Sequence, residues 1–282
     1  MVATLRRVLV CSPQAAGWDT PAQSSHWREL GFLHAPDFDT AQVQHQELCR
    51  QLKAAGAEIV ELPASAELSL DAVYAHDPSF TTDGGMVILH PGKPNRVVEA
   101  KIHKKSCHDF GISVLGEVKS PAVAEAGDIV WLASRTLLVG CGYRTNAGGI
   151  FQLRVLLEGV EVIAAPLPYS LGPSACLHLM SLMSLLDEHT VLVDLPWLAV
   201  ETVELLKARH FRFLEIDASE RDTLACNVLA LGEKRLLALE ENRWTNDRLR
   251  AAGFEVLTFP GSELCINGGG GPTCLTRPLL RG

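Results

Sequence analysis

The chain has 282 residues, 47% hydrophobic and 21% charged, with a mean hydropathy of +0.14. That composition excludes disorder, fibres and coiled coils, and indicates a soluble globular protein rich in buried strands. The net charge of −8 is spread without a basic block, so nucleic acid is not an expected partner.

Taken in chain order, Arg6 and Arg7 lead into Val8-Leu9-Val10-Cys11, an apolar run too short for a secretory signal. A helical pattern over Gln46 to Ala55 stops at Gly56, and the apolar run Ala57 to Pro63 follows it. The turn Asp83-Gly84-Gly85 precedes a strand from Met86 to Leu89, and Ile112 to Leu115 is a second run of the first kind. Ile129 to Leu132 and Thr136 to Gly140 flank Ala133-Ser134-Arg135 as a hairpin, with Val160 to Ile163 beyond it. Leu177 to Leu186 is the best candidate for a membrane span, but it stops at Asp187-Glu188, well short of the length required. The expected location is therefore the cytoplasm, with no membrane partner. Phe211 to Leu214 is the next run; a hairpin then joins Asn227–Leu231 to Arg235–Leu239 through Gly232-Glu233-Lys234. Asn246 as N-cap and Gly253 as stop bracket a last helix before Phe254 to Leu257.

These runs recur at roughly 50-residue spacing, which is the signature of an array or propeller. The unit is strand-strand-helix-strand, repeated about five times, with the first repeat irregular. Five such units around an axis fit one domain spanning residues 1–282 better than two independent ones. In that arrangement the equivalent loops converge at one end. They hold Asp71 and Asp77, then Glu125 and Asp128, then His178, then Asp222, and last Cys274.

None of the eight cysteines forms a C-x-x-C pair or a zinc-finger spacing with histidine, so most are expected to be small buried groups. Cys274 differs in its setting. It follows Gly268-Gly269-Gly270-Gly271, a run that permits unusual backbone conformations and close approach of another group. A cysteine beyond such a turn is either an exposed nucleophile near backbone N–H groups or a buried thiol in a tail.

Cys274 after the glycine run, Cys176-Leu177-His178-Leu179 and Glu125-Ala126-Gly127-Asp128 together resemble the guanidine-modifying enzymes of the pentein superfamily. That superfamily includes arginine deiminases, dimethylarginine dimethylaminohydrolases and amidinotransferases. The resemblance implies an α/β fold: a five-bladed pseudo-fivefold propeller of ββαβ repeats, in agreement with the repeat above. It implies Cys274 as nucleophile and His178 as general acid and base. Glu125 matches a catalytic carboxylate that binds guanidinium N–H groups. Asp77, in His76-Asp77-Pro78, matches a second such carboxylate. Asp128 is placed with the substrate-binding residues through the loop it fixes, although an ordinary cap or turn role fits it as well. Asp71 matches a further polar contact, with a solvated loop charge as the alternative. Arg144, in Arg144-Thr145-Asn146, matches an arginine that binds an α-carboxylate, and Arg96 matches a second. The segment Ser12 to Trp27 falls where the family has a lid.

The chemistry this resemblance implies is hydrolysis of the C–N bond of a guanidino compound to a ureido product (citrulline from an arginine) and an amine. Neither metal nor organic cofactor is expected. Met180 stands two positions after His178, where arginine deiminases usually carry aspartate. A thioether there implies a preference for an N-substituted arginine such as dimethylarginine, unless Met180 simply packs in the core. Amidino transfer to a second amine and arginine deiminase-type activity on another guanidino or ureido substrate are the alternatives. A non-catalytic pentein binding protein is the rival of another class. The sequence sets no oligomeric state, and a homodimer is compatible with it.

Overall fold

Short leucine- and valine-rich runs pair into tight hairpins; a helix then returns the chain, so that a third strand lies parallel to the second. The computed structural model describes every residue except Ser174 and Cys176. Its first unit holds β1 (Leu5–Val10), the one-turn helices α1 (Pro21–Ser24) and α2 (Trp27–Leu30), the long α3 (Phe38–Ala54) and β2 (Glu58–Glu61). The second runs β3 (Ser79–Thr82), β4 (Gly85–Ile88), α4 (Val97–Asp109) and β5 (Val114–Glu117). The third is β6 (Ile129–Ala133), β7 (Thr136–Cys141), α5 (Ala147–Leu156) and β8 (Glu161–Pro166). The fourth is β9 (Met183–Leu185), β10 (Thr190–Val193), α6 (Val200–Ala208) and β11 (Arg212–Glu215). The fifth is β12 (Leu229–Gly232), β13 (Arg235–Leu239), α7 (Arg243–Ala251) and β14 (Glu255–Phe259), after which β15 (Arg277–Arg281) ends the chain.

Each unit forms its own three-stranded sheet, giving the five blades of an α/β propeller. In blades two to five an antiparallel hairpin is extended by a parallel third strand, as in the register Leu236↔Val256 between β13 and β14. Blade one is assembled from both ends of the chain. β15 pairs antiparallel with β1, which pairs parallel with β2, so the strand missing from the first repeat comes from the C-terminus. That is the physical reason the first repeat reads as irregular. Apolar side chains from neighbouring blades pack into the core; α3, for example, buries Ala41, Leu48 and Leu52 along one face.

One sequence expectation needs correction. α7 starts at Arg243, with Asn242 as N-cap, and Asn246 is a buried interior residue whose Nδ2 donates to Leu239 O at 2.8 Å. Its first-turn N–H groups, Trp244 N and Thr245 N, donate to the Glu220 carboxylate, each at 2.8 Å. A cap supplied from a distant loop leaves no mark in the local pattern. Leu177 to Leu186 is no helix; it folds as a turn over Leu179–Ser181 and then strand β9. Among the described residues no helix is long and apolar enough to cross a membrane.

Candidate active site

Every blade receives its first strand from a loop at the axis, and each loop delivers one polar side chain just ahead of that strand. Asp77 precedes β3, Glu125 precedes β6, His178 precedes β9, Asn227 precedes β12 and Cys274 precedes β15. Hydrogen bonds join neighbouring loops in a closed ring. Ala126 N donates to Asp77 O at 3.0 Å, Leu179 N to Asp128 Oδ1 at 2.9 Å, and Ser184 Oγ to Cys226 O at 2.6 Å. Thr273 N donates to Asn227 Oδ1 at 3.0 Å, and His76 N to Cys274 O at 3.0 Å. Side chains far apart in sequence are thereby fixed against one another.

Within this ring, Asp77, Glu125 and His178 are buried together, their ligand-type atoms all within 4.8 Å of one another. His178 Nε2 and Glu125 Oε2 are 2.7 Å apart. Glu125 Oε1 accepts from Gly92 N at 2.8 Å and from an Arg144 guanidinium nitrogen at 3.3 Å. Asp77 Oδ1 accepts from Gly127 N at 3.1 Å, and Oδ2 from Arg96 at 2.5 Å. Burial works against ionising both carboxyls, but it is outweighed. His178 and Arg96 hold Asp77 well below the usual carboxylate range, and the bond and charge of His178 hold Glu125 below it. A cation could be gripped by this triad, whether a guanidinium or a metal ion. The donors from Arg96, Arg144 and two backbone amides occupy one side of each carboxylate, and the lone pairs left over can accept the N–H groups of a planar guanidinium.

Gly127 belongs to the site although it has no side chain. A Cβ there would lie 2.6 Å from the His178 ring and 3.0 Å from Asp77 Oδ1. Gly270 plays the same part on the opposite side, where a Cβ would meet the Tyr74 ring at 2.4 Å and Cys274 Cβ at 3.1 Å. The glycine run thus permits close approach. Cys274 itself is partly exposed, and Asn227 Nδ2 donates to its Sγ at 3.0 Å. Cys265 is fully buried, and burial pushes its thiol far above the ordinary range. Cys176 lies outside the described residues.

Of the other residues singled out in the sequence, Arg96 and Asp222 take other positions than expected, while Asp128, Asp71 and Met180 each take one of the two roles open to them. Arg96 is committed inside the protein. Its guanidinium donates to Asp77, to Glu99 at 2.8–3.1 Å and to Tyr74 O at 2.8 Å, so it steadies Asp77 and is not an open receptor for a substrate carboxylate. Burial pushes Glu99 up to about 7 despite the pull of Arg96. Asp128 lies beneath the site, where it holds Leu179 N and so the His178 loop; burial raises its carboxyl to about 6. Asp71 is no solvated charge: it is buried and accepts from Lys93 Nζ at 3.2 Å and Asn95 Nδ2 at 3.1 Å. Asp222 is exposed, and the place assigned to it in the ring belongs to Asn227. Met180 packs in the core among Leu179, Leu182 and Val191. The Ser12–Trp27 segment is anchored by buried Trp18, whose Nε1 donates to Leu70 O at 3.0 Å. A cavity of about 360 Å3 is lined by Tyr143 and Leu177, the chain neighbours of Arg144 and His178, together with Leu167, Pro168 and Tyr169.

The family model for arginine deiminase matches residues 66–210 and 197–281. The chain belongs to the arginine deiminase family. This member is 27% identical over 280 residues to the uncharacterised protein YkgA of Bacillus subtilis, covering 99% of this chain and 93% of that one. It is 28% identical over 247 residues to N(G),N(G)-dimethylarginine dimethylaminohydrolase of Streptomyces coelicolor, covering 85% and 86%. In fold it is similar to the dimethylarginine dimethylaminohydrolase of Pseudomonas aeruginosa in complex with citrulline. There the TM-score is 0.77, with 24% identity across 97% of this family member and 99% of that structure. The fold is that of the pentein superfamily, and the similar proteins include dimethylarginine dimethylaminohydrolases and arginine deiminases.

Proposed function

We propose that the protein is a cysteine-dependent hydrolase of a guanidino compound, with Cys274 as nucleophile and His178 as general acid and base. The observation that carries this reading is the meeting of two buried carboxyl groups with a histidine in the same ring of loops that carries Cys274, whose carbonyl accepts from the backbone N–H of His76, next to Asp77, at 3.0 Å. Asp77 and Glu125 present oxygens to a planar cation and fix its orientation. The Cys274 thiolate attacks the guanidinium carbon, forming a C–S bond. His178 donates a proton to the leaving nitrogen as the C–N bond breaks and the amine departs. Water then attacks the resulting thiouronium and gives its proton to His178; the C–S bond breaks and the thiolate is restored. The net change is guanidino compound plus water to ureido compound plus amine.

Within that class, the reading favoured is an N-substituted arginine giving citrulline. Its support lies in the apolar cavity that begins at Leu177, next to the residue that would protonate the leaving amine, and in Arg144 as a partner for an α-carboxylate. The buried position of Met180 withdraws that residue from the argument.

The test is a panel of guanidino compounds assayed for ureido product and released amine, with kcat/KM compared for arginine and its N-methylated forms. Turnover of at least one guanidino compound is expected, with the methylated forms preferred. Arg144→Ala should weaken arginine-like substrates about ten- to hundredfold more than their decarboxylated analogues, the worth of one charge-assisted hydrogen bond. No turnover across the panel overturns the function, whereas preference for free arginine overturns only the finer assignment.

A further inference from the structure

The axial ring contains a side chain that no step of the proposed reaction uses. We infer that Asn227 is a further catalytic residue, holding the Cys274 sulfur in its anionic, attacking form through an N–H···S hydrogen bond. The inference rests on the reading of Cys274 as nucleophile and extends it to what activates the thiol.

The geometry fixes the direction of that bond. Asn227 has one amide oxygen and one NH2 group, and the oxygen is claimed by Thr273 N–H at 3.0 Å. A backbone N–H can only donate, so the oxygen must face it, and the NH2 group is left facing Cys274 Sγ at 3.0 Å. The donor is therefore oriented by the same loop that carries the sulfur. Asn227 is only 6% exposed, and its amide cannot swing away without breaking both bonds. Gly271 makes the seating possible, because a Cβ there would lie 2.8 Å from Asn227 Cβ, Cγ and Oδ1. On the other side the chain is bent to fit: Asn227 N donates to Leu224 O at 2.8 Å, closing a turn in which Leu224 takes φ +64°, a conformation leucine rarely adopts.

A thiolate accepts such a hydrogen bond more strongly than a thiol does, so the bond favours the ionised nucleophile. A neutral amide suits this task better than a lysine or arginine would. It lends partial positive charge to sulfur without repelling the guanidinium that must approach it. Once the C–S bond forms, sulfur carries no negative charge and the hydrogen bond weakens. When the second step restores the thiolate, the same donor receives it. Two titratable neighbours stay silent in the neutral range. Cys265 remains a thiol, and the ring of His76, whose backbone N–H donates to Cys274 O, is held neutral by burial and Arg277, its pKa lowered to about 3. His178 is unchanged in every variant tested.

The test measures the rate of Cys274 alkylation by a haloacetamidine between pH 5 and 10, beside kcat/KM and thermal stability. It compares the wild type, Asn227→Ala, Asn227→Asp and Gly271→Ala. Removing the donor should slow alkylation at pH 7 about ten- to hundredfold and shift the midpoint of the profile upward, with rates converging at high pH. Asn227→Asp should shift it furthest, since a carboxylate faces the sulfur. Gly271→Ala, which displaces Asn227 without removing it, should shift it less and provides the reading if the Asn227 variants do not fold. Superimposable profiles in the folded variants overturn the role of Asn227 while leaving Cys274 as nucleophile. If alkylation instead labels another thiol, or Cys274→Ser keeps its turnover, the reading beneath it fails.

Discussion

The loops entering blades two, three and four carry Asp77, Glu125, Asp128 and His178, with Arg96 and Arg144 leaning in. Those entering blades five and one carry Asn227, four glycines and Cys274. One side of the ring is a crowded network of buried charge, in which every carboxylate named has a defined donor. The other holds a partly exposed thiol against a neutral amide, on a glycine run packed closely against the rings of Tyr74 and Phe32. The division suits the proposed chemistry: the charged side orients a cation, and the neutral side leaves the nucleophile room to reach it. It also shows how burial sorts like groups. Cys265 and Cys274 sit in one segment, yet burial keeps the first a thiol while the second opens to the site.

The largest expected effect separates those two thiols. Cys274→Ser should lower kcat by several orders of magnitude while the fold and thermal midpoint are kept, because a hydroxyl lacks a thiolate's nucleophilicity. Cys265→Ser should retain activity within about tenfold and lose stability instead, since it places a hydroxyl where nothing polar is required. Steady-state kinetics and thermal melts on both variants decide it. An inactive Cys265→Ser beside an active Cys274→Ser would reverse the roles of the two cysteines.

A smaller effect probes the charged side by steric means. Gly127→Ala places a methyl group 2.6 Å from the His178 ring and so must push His178 or Asp77 out of line. A displacement of that size at reacting groups should cost about a hundredfold in kcat/KM. Gly253→Ala is the control. That glycine stands just past the C-cap of α7, at φ +93°, and a Cβ there meets nothing, so the change should cost stability and spare kinetics. Equal kinetic losses in the two variants would mean that Gly127 matters only to folding.

Much of this comparison is legible in the sequence because its signals are local. Hairpins announce themselves through short strand pairs about tight turns, and a glycine run ahead of a cysteine marks close approach. What is not legible depends on partners brought from elsewhere. Asn227 reads as the first residue of a strand, and only folding sets Thr273 and Cys274 against it. Arg96 and Glu99 are spaced to pair on one helix face, but their joint hold on Asp77 needs the turn between β2 and β3. The substitution of a C-terminal strand into blade one likewise has no local signature.

The last effect expected is thermodynamic, and it isolates Asp128 from its charged neighbours. Asp128 is fully buried, and its carboxyl is raised to about 6, against about 3.9 in an unfolded chain. Between those values the folded protein keeps a proton that the unfolded chain has released. Stability contributed by this group is therefore present at pH 4, falls as the pH rises towards 6, and stays lost above it. Asp77 and Glu125, held low, behave in the opposite sense and lose their contribution only as the pH falls through the acid range. They are common to wild type and variant, so they cancel in a difference. Asp128→Asn keeps an oxygen for Leu179 N–H and does not titrate. Its stability relative to wild type should thus rise by about 2–3 kcal/mol between pH 4 and 7 and then level off. Urea unfolding at half-unit pH steps reads that difference directly. A flat difference would place the Asp128 proton elsewhere, and a difference that falls with pH would mean Asp128 is ionised and paired like the carboxylates above it.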